Sequence, residues 1–482
     1  MLYKRLYTRL KEVVTWSSTS RESPSKANTS NVMVLDFDVL YLIMVALRSS
    51  SRGSLLPLMQ TCATLYRAGI PLLLRGPLPI GNSCSDSVLN FLLQDSSRLR
   101  YLRDLRVVPF RPPLSNSLET EVWRTQFTQV LAGTVRSLKR LHIECFQKEY
   151  HYALLDAADS LLELEELVID SMDRRVEAML MNMRSPIRSV SLSHRAGNLA
   201  PIPILERFSD TLTTVTLNCP IFTHRGIRFP RVHTLNLRTS CYFENDVEGM
   251  YGSFPNVVHL SMHATSAPSV SSVYEVHRQN TDGEHRGWSD LQSLSCSAQY
   301  YYAAGLACKA KYWMDANLDS RSITYFHDVL RKVQPSYLQL HFIPRHTTTE
   351  LLADSLCVAN LVHLDLSVEA WLYEQGVQHF LECLATSINS LGPIRFLRLH
   401  ILYSHAPYIL QKEFRTVSLK ELSQLLARSN PQLSFISLCL TCNSFEKDQW
   451  SYWQVVPGEH GAIVEMLGDG RGDQMEHAIG FR

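Results

Sequence analysis

Leu138-Lys139-Arg140-Leu141-His142-Ile143 is an apolar-x-x-apolar-x-apolar phrase that returns from near residue 100 almost to the end of this 482-residue chain. It reads Leu102/Leu105/Val107 in a shifted form, then Leu164/Leu167/Ile169, Ile187/Val190/Leu192, Leu212/Val215/Leu217, Val232/Leu235/Leu237 and Val257/Leu260/Met262. A degraded Leu291/Leu294/Cys296 follows, and the phrase resumes at Leu338/Leu340, Leu361/Leu364/Leu366, Ile394/Leu397/Leu399 and Leu433/Ile436/Leu438. The last two apolar residues alternate with a polar one, as a strand with one buried face requires, and the first sits where the chain enters the strand.

Between the phrases, apolar residues recur at three- and four-residue steps. Examples are Tyr150, Ala153, Leu154, Ala157, Leu161, then Val377, Phe380, Leu381, Leu384, Ile388, Leu391, then Leu419, Leu422, Leu425, Leu426. That period is helical. Helix and strand alternate, and no single helix-strand unit buries its apolar face alone, so the units must stack on their neighbours. The expected fold is an α/β solenoid with an exposed strand face; the competing architecture is an ordinary α/β sheet, in which the same alternation occurs.

The phrases resemble leucine-rich repeats over roughly residues 99–442. The Asn or Cys that the family places three residues further on is replaced here by Phe146, Met172, Arg195, Pro220, Ser240, Glu369 and Leu402. The resemblance therefore implies irregular repeats with variable loops, as do spacings as short as the 20 residues from Leu212 to Val232.

At 482 residues the chain is too long for one compact core, which fits an extended array. Its 47 basic and 46 acidic residues leave a formal charge of +1, which provides no global field for nucleic acid or an anionic membrane. The longest apolar run, Val39 to Leu47, is nine residues, against the roughly 20 needed to span hydrocarbon. Eleven cysteines without a disulfide framework point to a reducing cytoplasmic or nuclear setting. Residues 1–30 read as a disordered basic tail; Leu2, Leu6, Leu10 and Val13 on one helical stripe keep a mitochondrial targeting segment as the alternative.

Residues 32–76 change character. Leu40, Ile43 and Leu47 share one helical stripe and Leu58, Cys62 and Leu65 another, so three short helices fit around the Ser49–Ser54 break. With Cys62-Ala63-Thr64-Leu65-Tyr66-Arg67 closing the stretch, it resembles an F-box, although Asp36 replaces the usual Pro and Leu65-Tyr66 stands where a Trp is usual. An F-box ahead of leucine-rich repeats is the layout of substrate receptors in cullin-based ubiquitin ligases, a group that fungi carry in large numbers. The resemblance implies a Skp-type adaptor, and through it a cullin, bound by Leu35, Phe37, Leu40, Ile43, Leu47, Leu55, Leu58, Cys62, Leu65 and Tyr66. It also implies an unknown protein substrate on the repeat surface and no cofactor. The alternatives are a helical cap on a leucine-rich interaction scaffold unrelated to ubiquitin, and a hydrolase or transferase in a divergent α/β fold.

No catalytic or metal-binding motif stands out. Cys439-Leu440-Thr441-Cys442 is a lone C-x-x-C, short of four zinc ligands, and neither H-E-x-x-H nor G-x-S-x-G occurs among the 18 histidines and the serines. Gly468-Asp469-Gly470-Arg471-Gly472 lacks the phosphate-loop spacing and reads as a flexible tail within a carboxyl-terminal cap, residues 443–482. Tyr300, Tyr301, Tyr302, Tyr312 and Trp313 lie where the phrasing nearly lapses, and read either as recognition anchors or as a local core.

Overall fold

The computed structural model describes residues 36–50, 52–81, 85–108, 117–144, 157, 160–193, 200–218, 222, 226–239, 247–264, 270–281, 287–318, 322–343, 360–370, 376–390, 392–404, 406–442, 449–458 and 461–481. The basic stretch 1–30, Leu35, most of the helix expected over Tyr150–Leu161, and Phe146, Arg195, Pro220 and Ser240 lie outside these residues. The chain divides into two compact units, Met1–Leu73 and Leu74–Arg482.

In the first unit, helices span Phe37–Ser50, Arg52–Met59 and Ala63–Leu74. They close on Met44, Leu47, Leu55, Met59 and Leu65, all buried. Gly69 permits the approach: a Cβ there would stand 2.3 Å from Met59 Cγ and 2.8 Å from Met44 Cε. The two methionines, unbranched and adaptable, fill the centre where the stripes read from sequence had placed leucines.

The second unit is an open, mostly parallel α/β sheet of sixteen strands. Its first half comprises β1 (Pro77–Ile80), β2 (Asp104–Val107), β3 (Arg140–Ile143), β4 (Glu166–Ile169), β5 (Ser189–Leu192), β6 (Thr214–Asn218), β7 (Thr234–Thr239) and β8 (His259–Ala264). The second half comprises β9 (Asp290–Ser295), β10 (Lys309–Leu318), β11 (Tyr337–Phe342), β12 (His363–Glu369), β13 (Phe396–Leu402), β14 (Phe435–Thr441), β15 (Ser451–Gly458) and β16 (Gly461–Leu467). Spatial order equals chain order from β1 to β16, with parallel pairing as far as β14 and antiparallel pairing for β14–β15–β16. A doubly wound sheet reverses its order at a switch point; this sheet has no reversal.

Each phrase read from the sequence coincides with a strand, and its apolar residues are buried. They face helices on one side: Trp313 of β10, for example, stacks on Phe326 of the helix Ile323–Val333 at 5.6 Å. The two residues between the first and second apolar positions do a second job. Lys139 and Arg140 both donate their backbone N–H to the Arg103 carbonyl at 2.9 Å, and Glu165 and Glu166 both donate to the Lys139 carbonyl at 2.9 Å. The same paired donation recurs onto the carbonyls of Glu165, Arg188, Thr213, His233, Val258, Ser336, Val362 and Arg395. Backbone groups thus couple one strand entrance to the next without the side-chain ladder that the sequence lacks.

Four strands were not anticipated: β1, β10 and the antiparallel pair β15 and β16, which lies in the stretch read as a carboxyl-terminal cap. β1 carries Pro77 and Pro79, tolerated because it is an edge strand pairing only with β2. β10 replaces the leucines with Ala310 and Trp313 and bulges before Ala316. The aromatic cluster is largely core: Tyr300, Tyr301 and Trp313 are buried, with Trp313 Nε1 donating to the Cys296 carbonyl at 2.9 Å and Tyr301 OH to the Cys308 carbonyl at 2.8 Å.

The carboxyl-terminal stretch expected to be a flexible tail is instead the helix Asp469–Ile479, following Gly468. Gly472 makes the contact possible, since a Cβ there would lie 2.1 Å from the Tyr452 ring. Truncating Leu399, wholly buried in β13, is expected to cost about 2–5 kcal/mol in urea unfolding, whereas truncating exposed Leu42 should change stability by about 0.5 kcal/mol or less.

Candidate functional site

Two surfaces offer themselves for recognition. The first is the exposed apolar surface of the three-helix unit, to which Phe37, Val39, Tyr41, Leu42, Val45, Leu56 and Tyr66 contribute, Leu42 being 67% exposed. Phe37, Tyr41 and Val45 succeed one another at four-residue steps on the first helix, and the Phe37 and Tyr41 rings stack at 6.4 Å. Large apolar side chains left to water on so small a unit are the usual mark of an interaction surface.

The residues singled out from sequence divide between surface and interior. Phe37, Cys62 and Tyr66 are exposed; Leu40, Ile43 and Leu58 are half-buried; Leu47, Leu55 and Leu65 are buried and hold the unit together. Cys62 precedes the third helix, so Leu58, Cys62 and Leu65 do not form one stripe. Val39, Tyr41, Leu42 and Val45 were missed, because a nine-residue apolar run shows no amphipathic boundary and hides which side faces water, and Leu56 of the second helix was missed as well.

The second surface is the strand face opposite the leucines. Its side chains run in rows across the sheet, because parallel register aligns them. Near the amino-terminal edge the rows are charged: Arg140 reaches Asp104 at 3.7 Å and Glu166 at 3.1 Å, Arg106 pairs with Glu144, and His142 stands 3.4 Å from Asp170. Over β5 to β9 they become chiefly hydroxyl, amide and imidazole groups: Ser189, Ser191, Thr214, Thr216, Thr234, Asn236, His259, Ser261, Ser293 and Ser295, with Arg238 of β7 in the row of Asn218 and His263. Asn236 Nδ2 donates to Thr216 Oγ1 at 3.1 Å, and His259 Nδ1 lies 2.7 Å from Ser293 Oγ.

Beside that band, Asp315 sits in the left-handed region at φ 57° at the β10 bulge and accepts a hydrogen bond from Ser295 Oγ. His263 Nε2 lies 2.8 Å from Ser261 Oγ and 3.5 Å from Ser295 Oγ. A hydrolytic triad needs the carboxylate on the histidine and the histidine on the serine. Here the carboxylate holds a serine, so the cluster has the parts without the connectivity. Burial pushes the Cys308 thiol up to about 12 and the Cys296 thiol well above its usual range, which deprives both of nucleophilic thiolate. Among the described residues no three His, Cys, Asp or Glu are placed to hold a metal. None of the described helices is long and apolar enough to cross a membrane.

At the carboxyl-terminal end the strand face is covered. The helix Asp469–Ile479 lays Glu476, fully buried, against Ser437 of β14 and Arg398 of β13: Ser437 Oγ donates to Glu476 Oε1 at 2.6 Å, and Arg398 Nε pairs with the same oxygen at 3.3 Å. Arg398 Nη1 also donates to Asp365 Oδ2 of β12 at 3.2 Å, and its guanidinium lies 4.0 Å over the Trp450 ring. Gly480, at φ 91°, ends the helix in a left-handed turn that delivers Phe481 onto Tyr337 and His363. Phe396, Phe435, Tyr452, Met475 and Ile479 complete a small apolar core on this face.

No protein-family model matches the sequence, and no curated protein matches it.

Burial raises the Asp365 carboxyl above its usual 3.8, with Arg398 pulling the other way. The folded chain then holds this proton more tightly than the unfolded chain, so from about pH 4 upward, until the raised pKa is passed, Asp365 makes stability fall as pH rises. Asp365→Asn should remove that component of the fall, measured as unfolding free energy against pH.

Proposed function

We propose that this chain is a substrate receptor of a Skp-cullin-F-box type ubiquitin ligase. In this reading the sheet unit is a solenoid of irregular leucine-rich repeats and the three-helix unit is its F-box. The chain-order stacking of fourteen parallel strands supports the first part. The observation that carries the second is the exposed apolar surface of the helical unit, where Phe37, Tyr41, Leu42, Val45, Leu56 and Tyr66 are left to water. The docking residues are then these, with Leu40, Ile43 and Leu58 at the rim, while Leu47, Leu55 and Leu65 shape the surface from beneath.

The receptor works in the cytoplasm or nucleus without a cofactor and supplies no acid, base or nucleophile. It holds a target protein on the strand face of β5 to β9, where hydroxyl, amide and imidazole groups give directional recognition, and the adaptor and cullin bring the conjugating enzyme to it. Rate enhancement comes from effective concentration. Specificity resides in the side chains of the uncovered strands and the loops beside them.

Co-precipitation of the endogenous Skp-type adaptor tests the assignment. The intact chain should recover it, and Leu42→Glu, which sets a charge at the most exposed of these apolar side chains, should weaken recovery by about 2 kcal/mol or more, roughly thirtyfold. Leu42 is exposed, so the variant should keep the parent's circular dichroism. An intact chain that recovers no adaptor would leave an interaction scaffold unrelated to ubiquitin in its place.

A further inference from the structure

Below the entrances of β1, β2 and β3, a half-open cavity of about 440 Å³ is lined by Arg75, Arg100, Tyr101, Arg103, Gly133, Arg136 and Ser137. Four arginines, all exposed, line one concavity, and among the described residues none has a carboxylate in ion-pair contact. Their basic neighbours are treated differently. Arg106 pairs with Glu144, Lys139 with Glu163 and Glu165, and Arg140 with Asp104 and Glu166. The acids whose charge is felt by the cluster are already engaged: Glu163 accepts from Lys139 at 2.8 Å, and Asp95 accepts from the Ser97 backbone and faces Arg98 at 3.8 Å.

Part of the cluster is held in place. Arg103 Nη1 donates to the Ser137 carbonyl at 3.0 Å, and Arg100 donates to Tyr101 OH while lying 4.6 Å over that ring. The Ser137 hydroxyl is spent on the Leu99 and Thr134 carbonyls, so the cavity offers mainly charged, forked donors. Like charges gathered in one concavity repel, and the carbonyl end of the helix Ser117–Gly133 offsets only about half a unit of charge. An anion would relieve the remainder.

We infer that this cavity binds an oligophosphate anion, two phosphoryl groups held close together. Guanidinium forks match phosphoryl oxygens in pairs, which a lone carboxylate would not saturate. Each phosphomonoester brings about −1.5 to −2 charges near neutral pH, so two of them balance four arginines. The pair of phosphoryl groups comes either from a small soluble polyphosphate or from neighbouring phosphoserines on a bound protein. The site is independent of the adaptor reading, since every residue that lines it belongs to the sheet unit.

Calorimetric titration of the full chain with inorganic pyrophosphate tests the inference, with sulfate at equal ionic strength as the control. Saturable pyrophosphate binding is expected, little affected by sulfate and weakened about tenfold by either Arg100→Ala or Arg136→Ala, because each removes a charge-assisted hydrogen-bonding partner. Both arginines are exposed, so the thermal midpoint should stay near that of the parent. A peptide with two adjacent phosphoserines that binds more tightly than pyrophosphate, while its unphosphorylated form does not bind, identifies the protein source; a peptide no tighter than pyrophosphate identifies the soluble one. Absence of pyrophosphate binding, equal competition by sulfate, or affinity unchanged in both variants overturns the site. Adaptor recovery by the two variants should equal the parent's, which separates failure here from failure of the ubiquitin-ligase reading.

Discussion

The sheet unit depends on one repeated backbone contact: a single carbonyl at each strand entrance receives the N–H groups of the next two residues to enter. Once that contact is made, the position of the following strand is set in translation and in register, and its leucines fall beside the previous leucines. A slip of one residue would turn every buried side chain to water. The contact therefore explains why the pattern keeps two residues between its first and second apolar positions while the segments between phrases vary widely in length. From Arg103 to Gln292 and Ser293 the paired donation runs through every interval; around β10 it lapses, and it resumes at Ser336. That gap is where Asp315 takes a left-handed conformation and the strand bulges, so departure from the rule and local strain coincide.

This explains what was legible in the chain. Wherever leucine, isoleucine or valine kept the two-residue alternation, strand and buried side were both readable, because period and hydrophobicity reported the same constraint. β10 escaped because Trp313 and Ala310 satisfy the burial requirement with side chains far from leucine in size, and Phe326 completes the fit only in three dimensions. β1 escaped because proline argues against a strand unless its position at an edge is known. The closing helix escaped for a related reason: Gly470 and Gly472 lower helix propensity, but Gly472 lies where Tyr452 leaves no room for a Cβ.

The helical unit shows the opposite limit. Its amino-terminal helix is apolar on nearly every side, so the period marks a helix without saying which side faces inward. Met44 and Met59 take the interior and Leu42 is left outside, a partition decided by the close approach at Gly69. A sequence pattern can locate such a module; the side left exposed emerges only from the packing that the module has already used up. The arginine cavity has the same character, since Arg75, Arg100, Arg103 and Arg136 are scattered over sixty-two positions of a nearly neutral chain and converge through the stacking of β1 to β3.

An open sheet has two ends, and each must avoid pairing with a foreign strand. At one end β1 is four residues long and carries Pro77 and Pro79, which withhold two backbone donors. At the other end the chain reverses: β15 and β16 run antiparallel, the helix Leu419–Ser429 packs on β16, and the closing helix crosses onto the strand face. The second device covers strand face: Arg398 and Ser437 are tied to Glu476 of the closing helix, and Asp365 is tied to Arg398. A buried carboxylate paired in this way adds little net stability against its desolvation, but removing one member leaves an uncompensated charge inside. The network therefore specifies where the cap sits more than it strengthens the fold, and the free strand face that results is the hydroxyl, amide and imidazole band over β5 to β9.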